Sequence, residues 1–371
     1  MTHMARKSDM PNGPVRSEEG RVARAQAQGP ARILNVALMP RTLPLNKFID
    51  LFSSSIESSG NATCDFSWSG AGLWTSDAVI LHWPDQFFLK RGLFGSLKSY
   101  AKLFMLRAAK RVRGQRIVWV AHNLAPHDTA AVDARLRDRF FDALDGVIFL
   151  SRRSQQLVEE QYPQLRAKEQ LVTVHGHYRD VAQAPASACP LPGSNVRLGY
   201  VGLIRPYKNL DTLVSAAANL SGLSLHMSGM AKDADELLAD LQTRAAGAAN
   251  VTLDARSEPL DDAEIERLID TCDGVVLPYR NILNSGSALH ALSRNRPVLA
   301  PRIGSLPELQ EHVGKDWLYL YDGELTPQVL QDFGARLRSR AASQAAPLDA
   351  YDWVPIGRAI DGFLRRIVPG A

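Results

Sequence analysis

Two stretches of this chain carry the residue types that grip a phosphate. Gly202–Leu203–Ile204–Arg205–Pro206–Tyr207–Lys208–Asn209 follows an apolar run. Its Arg205 suits a phosphate through two parallel hydrogen bonds, and Lys208 adds a second positive charge. Asn284–Ser285–Gly286–Ser287 stands before an apolar helical stretch, Ala288–Ser293. A helix start presents unpaired backbone N–H groups and the positive end of the helix dipole. There Ser285 and Ser287 cap the helix and donate to phosphate oxygens, and Gly286 lets a ligand approach the backbone. Taken singly, each stretch also reads as something ordinary, two loop cations or a capped helix. Together they fall on one edge of one predicted sheet, and two anion sites there suit a diphosphate such as that of a nucleotide sugar. Neither is a Walker loop or a GxGxxG fingerprint, so no ATPase or dehydrogenase is expected.

Acids and bases gather in the first half. His82–Trp83–Pro84–Asp85, His122–Asn123 with His127–Asp128, and His175–Gly176–His177 with Asp180 all follow apolar runs. A general base must reach the proton of an acceptor hydroxyl. The His127–Asp128 pair, held behind Pro126, is the most attractive. Asp128 is the first choice, Asp85 the second and His127 the third. A lone histidine is more often a satisfied structural side chain. His175 and His177 alternate on an extended segment as a metal pair would, but no third ligand lies nearby, so no metal site is expected.

The elements that must hold these residues are short strands alternating with helices. Apolar runs at Ile33–Leu38, Ala78–His82, Ile117–Ala121, Gly146–Leu150 and Leu171–Val174 read as strands of the first half. Arg197–Val201, Ser224–Met227, Val251–Leu253, Gly274–Leu277, Pro297–Ala300 and Trp317–Tyr321 read as strands of the second. Helical patterns such as Ala130–Leu144 and Ser154–Gln161 lie between them. This alternation predicts α/β architecture, two Rossmann-like parallel-sheet domains facing a cleft, with ligands beyond the carboxyl ends of the strands. A chain of 371 residues also fits two domains better than one. The predicted division is a disordered leader over 1–31, a first domain over 32–183 and a linker over 184–195. A second domain over 196–348 and a crossing helix over 349–371 complete it. The leader is polar and lacks the apolar core of a signal peptide. Three cysteines, far apart, argue against a disulfide framework or a zinc site and for a reducing compartment. No apolar run is long enough to span a bilayer.

Residues 87–116 hold Lys90, Arg91, Lys98, Lys102, Arg107, Lys110, Arg111, Arg113 and Arg116 and no acid, interleaved with Phe88, Phe94, Leu97, Leu103, Phe104 and Leu106. This is a basic amphipathic helix suited to an anionic membrane surface, with its apolar side in the interface. The net charge of the whole chain is only +4, so the charge is strongly polarised. A core-packed helix with a solvated basic face is the plainer alternative. Nucleic-acid binding is not expected, because no recognition motif accompanies the patch.

Several motifs resemble one family. HWPD at His82–Asp85, HNLAPHD at His122–Asp128, HGHYRD at His175–Asp180 and GLIRPYKN at Gly202–Asn209 are similar to the xanthan-type β-mannosyltransferases. So are LPYRNILNSGSALHALSRNRPVLAP at Leu277–Pro301 and WLYLYDGE at Trp317–Glu324. The resemblance runs from about Ile33 to the C-terminus. It implies the GT-B fold and inverting transfer of mannose from GDP-mannose to a glucuronate-ended oligosaccharide on a polyprenyl diphosphate. It also implies bacterial exopolysaccharide assembly, at the cytoplasmic face of the inner membrane and without a membrane span. On that reading Arg205, Lys208, Ser285, Gly286 and Ser287 bind the donor diphosphate, and Tyr279 borders the nucleoside or sugar. His82, His122, Asn123, His175 and His177 line the rest of the cleft. Many retaining relatives of the wider superfamily carry two glutamates eight residues apart, where this chain has Ile282 and His290. The departure fits inversion and leaves the ribose contact to Glu308. Another nucleotide sugar, such as UDP-glucose, UDP-galactose or UDP-glucuronate, and a non-catalytic membrane-bound partner subunit are the rival readings.

Overall fold

The apolar runs become two separate six-stranded parallel sheets. The computed structural model describes residues 32–44, 46–89, 92–123, 132–188, 192–232, 234–340 and 345–371. The expected leader, and with it Lys90, Arg91, His127 and Asp128, lies outside the described residues.

The first sheet contains β1 (Asn35–Met39), β2 (Ala62–Asp65), β3 (Ala78–Leu81), β4 (Arg116–Ala121), β5 (Gly146–Phe149) and β6 (Glu169–Val172). Its helices are α1 (Lys47–Ser58), α2 (Ala71–Thr75), α3 (Gly92–Arg113), α4 (Ala134–Ala143) and α5 (Arg152–Gln161). The strand order is β2-β1-β3-β4-β5-β6. The direction of winding reverses between β1 and β3, so the crevice at that switch point opens beside His82, which directly follows β3. Strand β2 is not among the predicted strands. It is a four-residue edge strand of ordinary polarity, so no apolar run marks it.

The second sheet contains β7 (Val196–Val201), β8 (Leu223–Met230), β9 (Val251–Arg256), β10 (Gly274–Val276), β11 (Val298–Pro301) and β12 (Leu318–Tyr321). Between and after these strands run α6 (Leu210–Ala217), α7 (Asp235–Ala246), α8 (Asp262–Thr271), α9 (Gly286–Ser293), α10 (Leu306–Val313) and α11 (Pro327–Ser339). The order β12-β11-β10-β7-β8-β9 places the switch point between β7 and β10. The loops leaving those two strands are the Arg205–Lys208 and Pro278–Ser287 segments, and topology alone brings them side by side.

The last helix, α12 (Trp353–Ile367), returns to the first sheet. Trp353, Ile356, Ile360, Phe363, Leu364 and Ile367 recur at helical spacing and are buried in the same cluster as Phe48, Ile49 and Phe52 of α1. Each such side chain contributes about 1.5–3 kcal/mol on burial. His177 belongs to this attachment. Its Nε2 donates to Asp352 at 2.7 Å, and its carbonyl accepts from the Trp353 indole at 2.7 Å. The cleft role expected for His177 is therefore corrected: the ring is buried and holds the crossing helix. The segment before β7 is fastened to the C-terminal lobe. Glu266 accepts from the Gln183 amide at 3.1 Å, and the buried Arg296 donates to the Ser187 hydroxyl at 2.8 Å.

Candidate active site

On the C-terminal side of the crevice, Lys208 closes a short 3-10 turn, Pro206–Lys208, and is buried. Its ammonium lies 4.5 Å from the ring centre of Tyr279 and 5.1 Å from that of Tyr207. Among the described residues no carboxylate pairs with it. Burial alone lowers a lysine's pKa; Tyr279, Tyr200 and Tyr207 more than offset that, and the Lys208 pKa lies above its ordinary value. The Tyr279 hydroxyl meets the Ser285 hydroxyl at 3.1 Å. The Arg280 amide donates to the Tyr207 carbonyl at 2.9 Å, tying the two switch-point loops together. Lys208, Tyr279 and Ser285 thus form one chain of contacts ending at the start of α9.

Ser285 sits in extended backbone and its hydroxyl accepts from the Ala288 amide at 3.1 Å, which fixes the first turn of α9. Ser287 is half-buried beside it. Arg205 is half-buried on the adjoining loop, where its guanidinium donates to the Lys232 carbonyl. Asn209 precedes α6 without capping it through its side chain, whose oxygen accepts from Thr212 at 2.8 Å and from Arg280 at 2.7 Å.

The N-terminal lobe closes over this start. A Cβ on Gly286 would lie 2.9 Å from the Tyr178 hydroxyl and 3.3 Å from His175 Nε2, so a side chain there would have to displace the Tyr178 ring. His175 Nδ1 donates to the Gly176 carbonyl at 3.0 Å, leaving a lone pair on Nε2 toward Gly286. Burial pushes the His175 pKa down to about 4. The Asn284 amide reaches across to the carbonyls of Ala121 and His122, 3.4 Å from each. His290, in place of the superfamily glutamate, packs its ring 5.0 Å from that of Tyr178.

Behind this junction a narrow recess, with about 30 Å³ of free volume, opens into the N-terminal lobe. Trp83, Trp119, Phe141 and Tyr162 give it an aromatic wall, and Asp85, His122, Asn123 and Arg137 supply its polar groups. His82 and His122, at the ends of adjacent strands β3 and β4, touch through Nδ1 and Nε2 at 3.0 Å. Burial pushes the His82 pKa down to about 3. Burial, with His82 and His175 nearby, holds that of His122 well below the usual imidazole value.

Glu308 lies in the crevice but is engaged otherwise than expected. Its two carboxylate oxygens accept from the backbone amides of Arg152 and Arg153, at 3.2 and 3.0 Å. It thereby caps α5 of the opposite lobe, and a ribose would have to displace that cap. Among the described residues no three His, Cys, Asp or Glu side chains converge as a metal site.

No family model matches the sequence. Two sequences from Xanthomonas campestris pv. campestris, each named GDP-mannose:glycolipid 4-beta-D-mannosyltransferase, are 30% identical to it over 293 residues. The match covers 79% of this chain and 80% of theirs. The chain belongs to this glycosyltransferase family. The fold agrees with the assignment. Sucrose-phosphate synthase from Thermosynechococcus elongatus is similar with a TM-score of 0.61 at 13% identity, over 92% of this chain and 100% of that one. Anabaena Alr3699/HepE in complex with UDP is similar with a TM-score of 0.60 at 15% identity, over 90% and 98%. Such a glycosyltransferase has the GT-B architecture, two parallel-sheet lobes meeting at the strand ends where the side chains above converge.

Proposed function

We propose that the chain transfers mannose from GDP-mannose, with inversion, to an oligosaccharide on a polyprenyl diphosphate during exopolysaccharide assembly. The observation that carries the donor half is Lys208. A buried ammonium with no carboxylate partner among the described residues, linked through Tyr279 and Ser285 to a helix start, is suited to an anion. Arg205 stands on the same loop. Charge growing on the departing diphosphate would meet Lys208, Arg205 and the amides of α9, fixed dipoles that need no reorganisation. The scheme assigns no role to a metal. The identity of the donor and the glycolipid nature of the acceptor follow the name of the Xanthomonas relatives.

The acceptor would enter through the aromatic recess, whose Trp83 and Trp119 suit the apolar faces of sugar rings. Asp85 stands on its wall; Asp128 and His127 continue the segment after Asn123.

Helix α3 supports attachment to the cytoplasmic face of the bacterial inner membrane. Phe94, Leu97 and Phe104 are 87%, 66% and 72% exposed along one stripe, with Lys98, Arg111 and Arg113 exposed around them. An outward apolar stripe flanked by cations suits anionic headgroups. No described helix is long and apolar enough to cross a membrane.

The test is incubation with GDP-mannose, UDP-glucose, UDP-galactose and UDP-glucuronate in turn. The acceptor is a prenyl-diphosphate oligosaccharide ending in glucuronate, carried in anionic vesicles. Release of GDP with mannose transfer is expected. Release of UDP would assign another donor, and release of neither nucleotide would leave a non-catalytic partner subunit.

A further inference from the structure

Resting on the donor reading above, we propose that His122 is the general base of the transfer and that His82 is the positioning residue that fixes its tautomer. His122 stands where such a base must stand. Its backbone carbonyl accepts from Asn284, the residue immediately before Ser285, so it lies beside the donor phosphate site. Its ring forms part of the wall of the aromatic recess and is stacked on Trp83 at 4.7 Å with a 22° tilt, which holds its orientation. Nε2 is occupied by His82. Nδ1 has no hydrogen-bond partner among the described residues, and it is not one of the buried polar atoms left unpaired.

The environment of His82 selects the tautomer. Its Nε2 is buried and has no hydrogen-bond partner. Phe52 and Phe48 lie against the ring in T-shaped contacts, at 4.9 Å and 85° and at 6.2 Å and 86°. An enclosure of aromatic rings tolerates an N–H, a weak donor to a ring face, better than a lone pair that no group there can satisfy. With the proton of His82 on Nε2, its Nδ1 accepts from His122 Nε2–H, and His122 Nδ1 is left as a lone pair.

In the reaction the acceptor O–H bond breaks and its proton passes to His122 Nδ1. The hydroxyl oxygen bonds to the anomeric carbon from the face opposite the diphosphate. The bond from that carbon to the phosphate oxygen breaks, and its electron pair leaves with the nucleoside diphosphate. The resulting imidazolium keeps Nε2–H donating to His82. His122 is neutral before the reaction because of its depressed pKa, and the anionic donor beside Asn284 raises its affinity for the proton when the site is loaded. The titratable groups facing it are His82, His175, Asp85 and Arg137.

The test compares wild type, His122→Gln and His82→Phe. GDP binding is measured by calorimetry, and mannose transfer from GDP-mannose to the vesicle-borne glucuronate-ended acceptor is measured across pH. His122→Gln is expected to bind GDP like wild type and to lose transfer by about 100-fold or more, within the range of general-base catalysis. His82→Phe is expected to lower kcat about 10-fold at unchanged KM for donor, and to move the acid limb of the kcat profile to lower pH, because the imidazolium loses the acceptor of its Nε2–H. A His122→Gln enzyme within threefold of wild type would overturn the His122 assignment alone. An unchanged kcat and acid limb in His82→Phe would overturn the positioning role. A wild-type protein that neither binds GDP nor transfers mannose would overturn the donor reading, and the proton step with it.

Discussion

Lys208 is a buried cation held by aromatic faces, with no counter-ion among the described residues. The tyrosine rings around its ammonium return about 0.5–2 kcal/mol each and more than offset its burial. Replacing it with methionine keeps the volume and removes the charge. The unliganded protein should lose on the order of 1 kcal/mol, a fall in Tm of about 2 °C, while GDP affinity falls at least about 10-fold. Thermal denaturation with and without GDP, beside calorimetry, reads both. Unchanged GDP affinity in Lys208→Met would take Lys208 out of the donor site. The place of Lys208 beside the α9 start was legible in the sequence, because the two segments follow strands of one predicted sheet. His177 and Glu308 misled for the opposite reason. Their partners lie far along the chain, 175 residues away in the case of Asp352, and no local pattern announces them. The two strand-end histidines were each visible, but their contact required knowing that β3 lies beside β4.

Among the described elements, α3 turns Phe94, Leu97, Phe104 and Val112 into solvent. Inward, Leu103, Leu106 and Ala109 are buried, and Lys110 reaches Asp145 at 2.9 Å. Arg107 lies against the Arg139 carbonyl, and Lys102 lies over the Trp68 ring at 5.3 Å. Part of the predicted membrane-facing charge is therefore tied to the lobe, and Lys98, Arg111 and Arg113 remain outermost. Replacing both Phe94 and Phe104 with serine should weaken binding to anionic vesicles by about 100-fold or more, since each buried aromatic ring contributes about 1.5–3 kcal/mol. Thermal stability should stay unchanged, because both rings already face solvent. Co-sedimentation that persists in the double variant would rule out this stripe as the membrane face. The helix itself was readable from its charge. Which aromatics point outward was not, because nearly every face of a sequence this rich in apolar residues offers an inward candidate. The strands were readable wherever both faces are buried, as in AVIL and IVWVA, where an unbroken apolar run is the signal. Edge strand β2, with half of its surface in solvent, gave no such run.

At the scale of the molecule, the lobes are joined by Leu283, buried in the first lobe's core, and by the Tyr178 amide donating to Ser293 at 2.9 Å, and the remaining ties bear on how the crevice admits its substrates. Lys47 pairs with Asp262 across the gap at 3.0 Å, but both are partly exposed and such pairs contribute little. The Asn284 contacts are long. The crossing helix α12 is held firmly by its apolar face, so it acts as the fixed end of the joint. Glu308 makes a two-bond tie at the free end. An ionised carboxylate accepting two amides at a helix start gains from both charge-assisted hydrogen bonding and the helix dipole. Glu308→Gln keeps the shape and removes the charge, so the closed arrangement should lose on the order of 1–2 kcal/mol relative to an open one. In small-angle scattering the variant should show a larger radius of gyration without substrates, and GDP should bring it back toward the wild-type value. KM for the donor should rise about 3- to 10-fold, because binding must then drive the closure. A variant that scatters like wild type yet binds GDP less tightly would instead make Glu308 a direct contact to the nucleotide. One that matches wild type in both would leave the capping of α5 without a role in holding the lobes together.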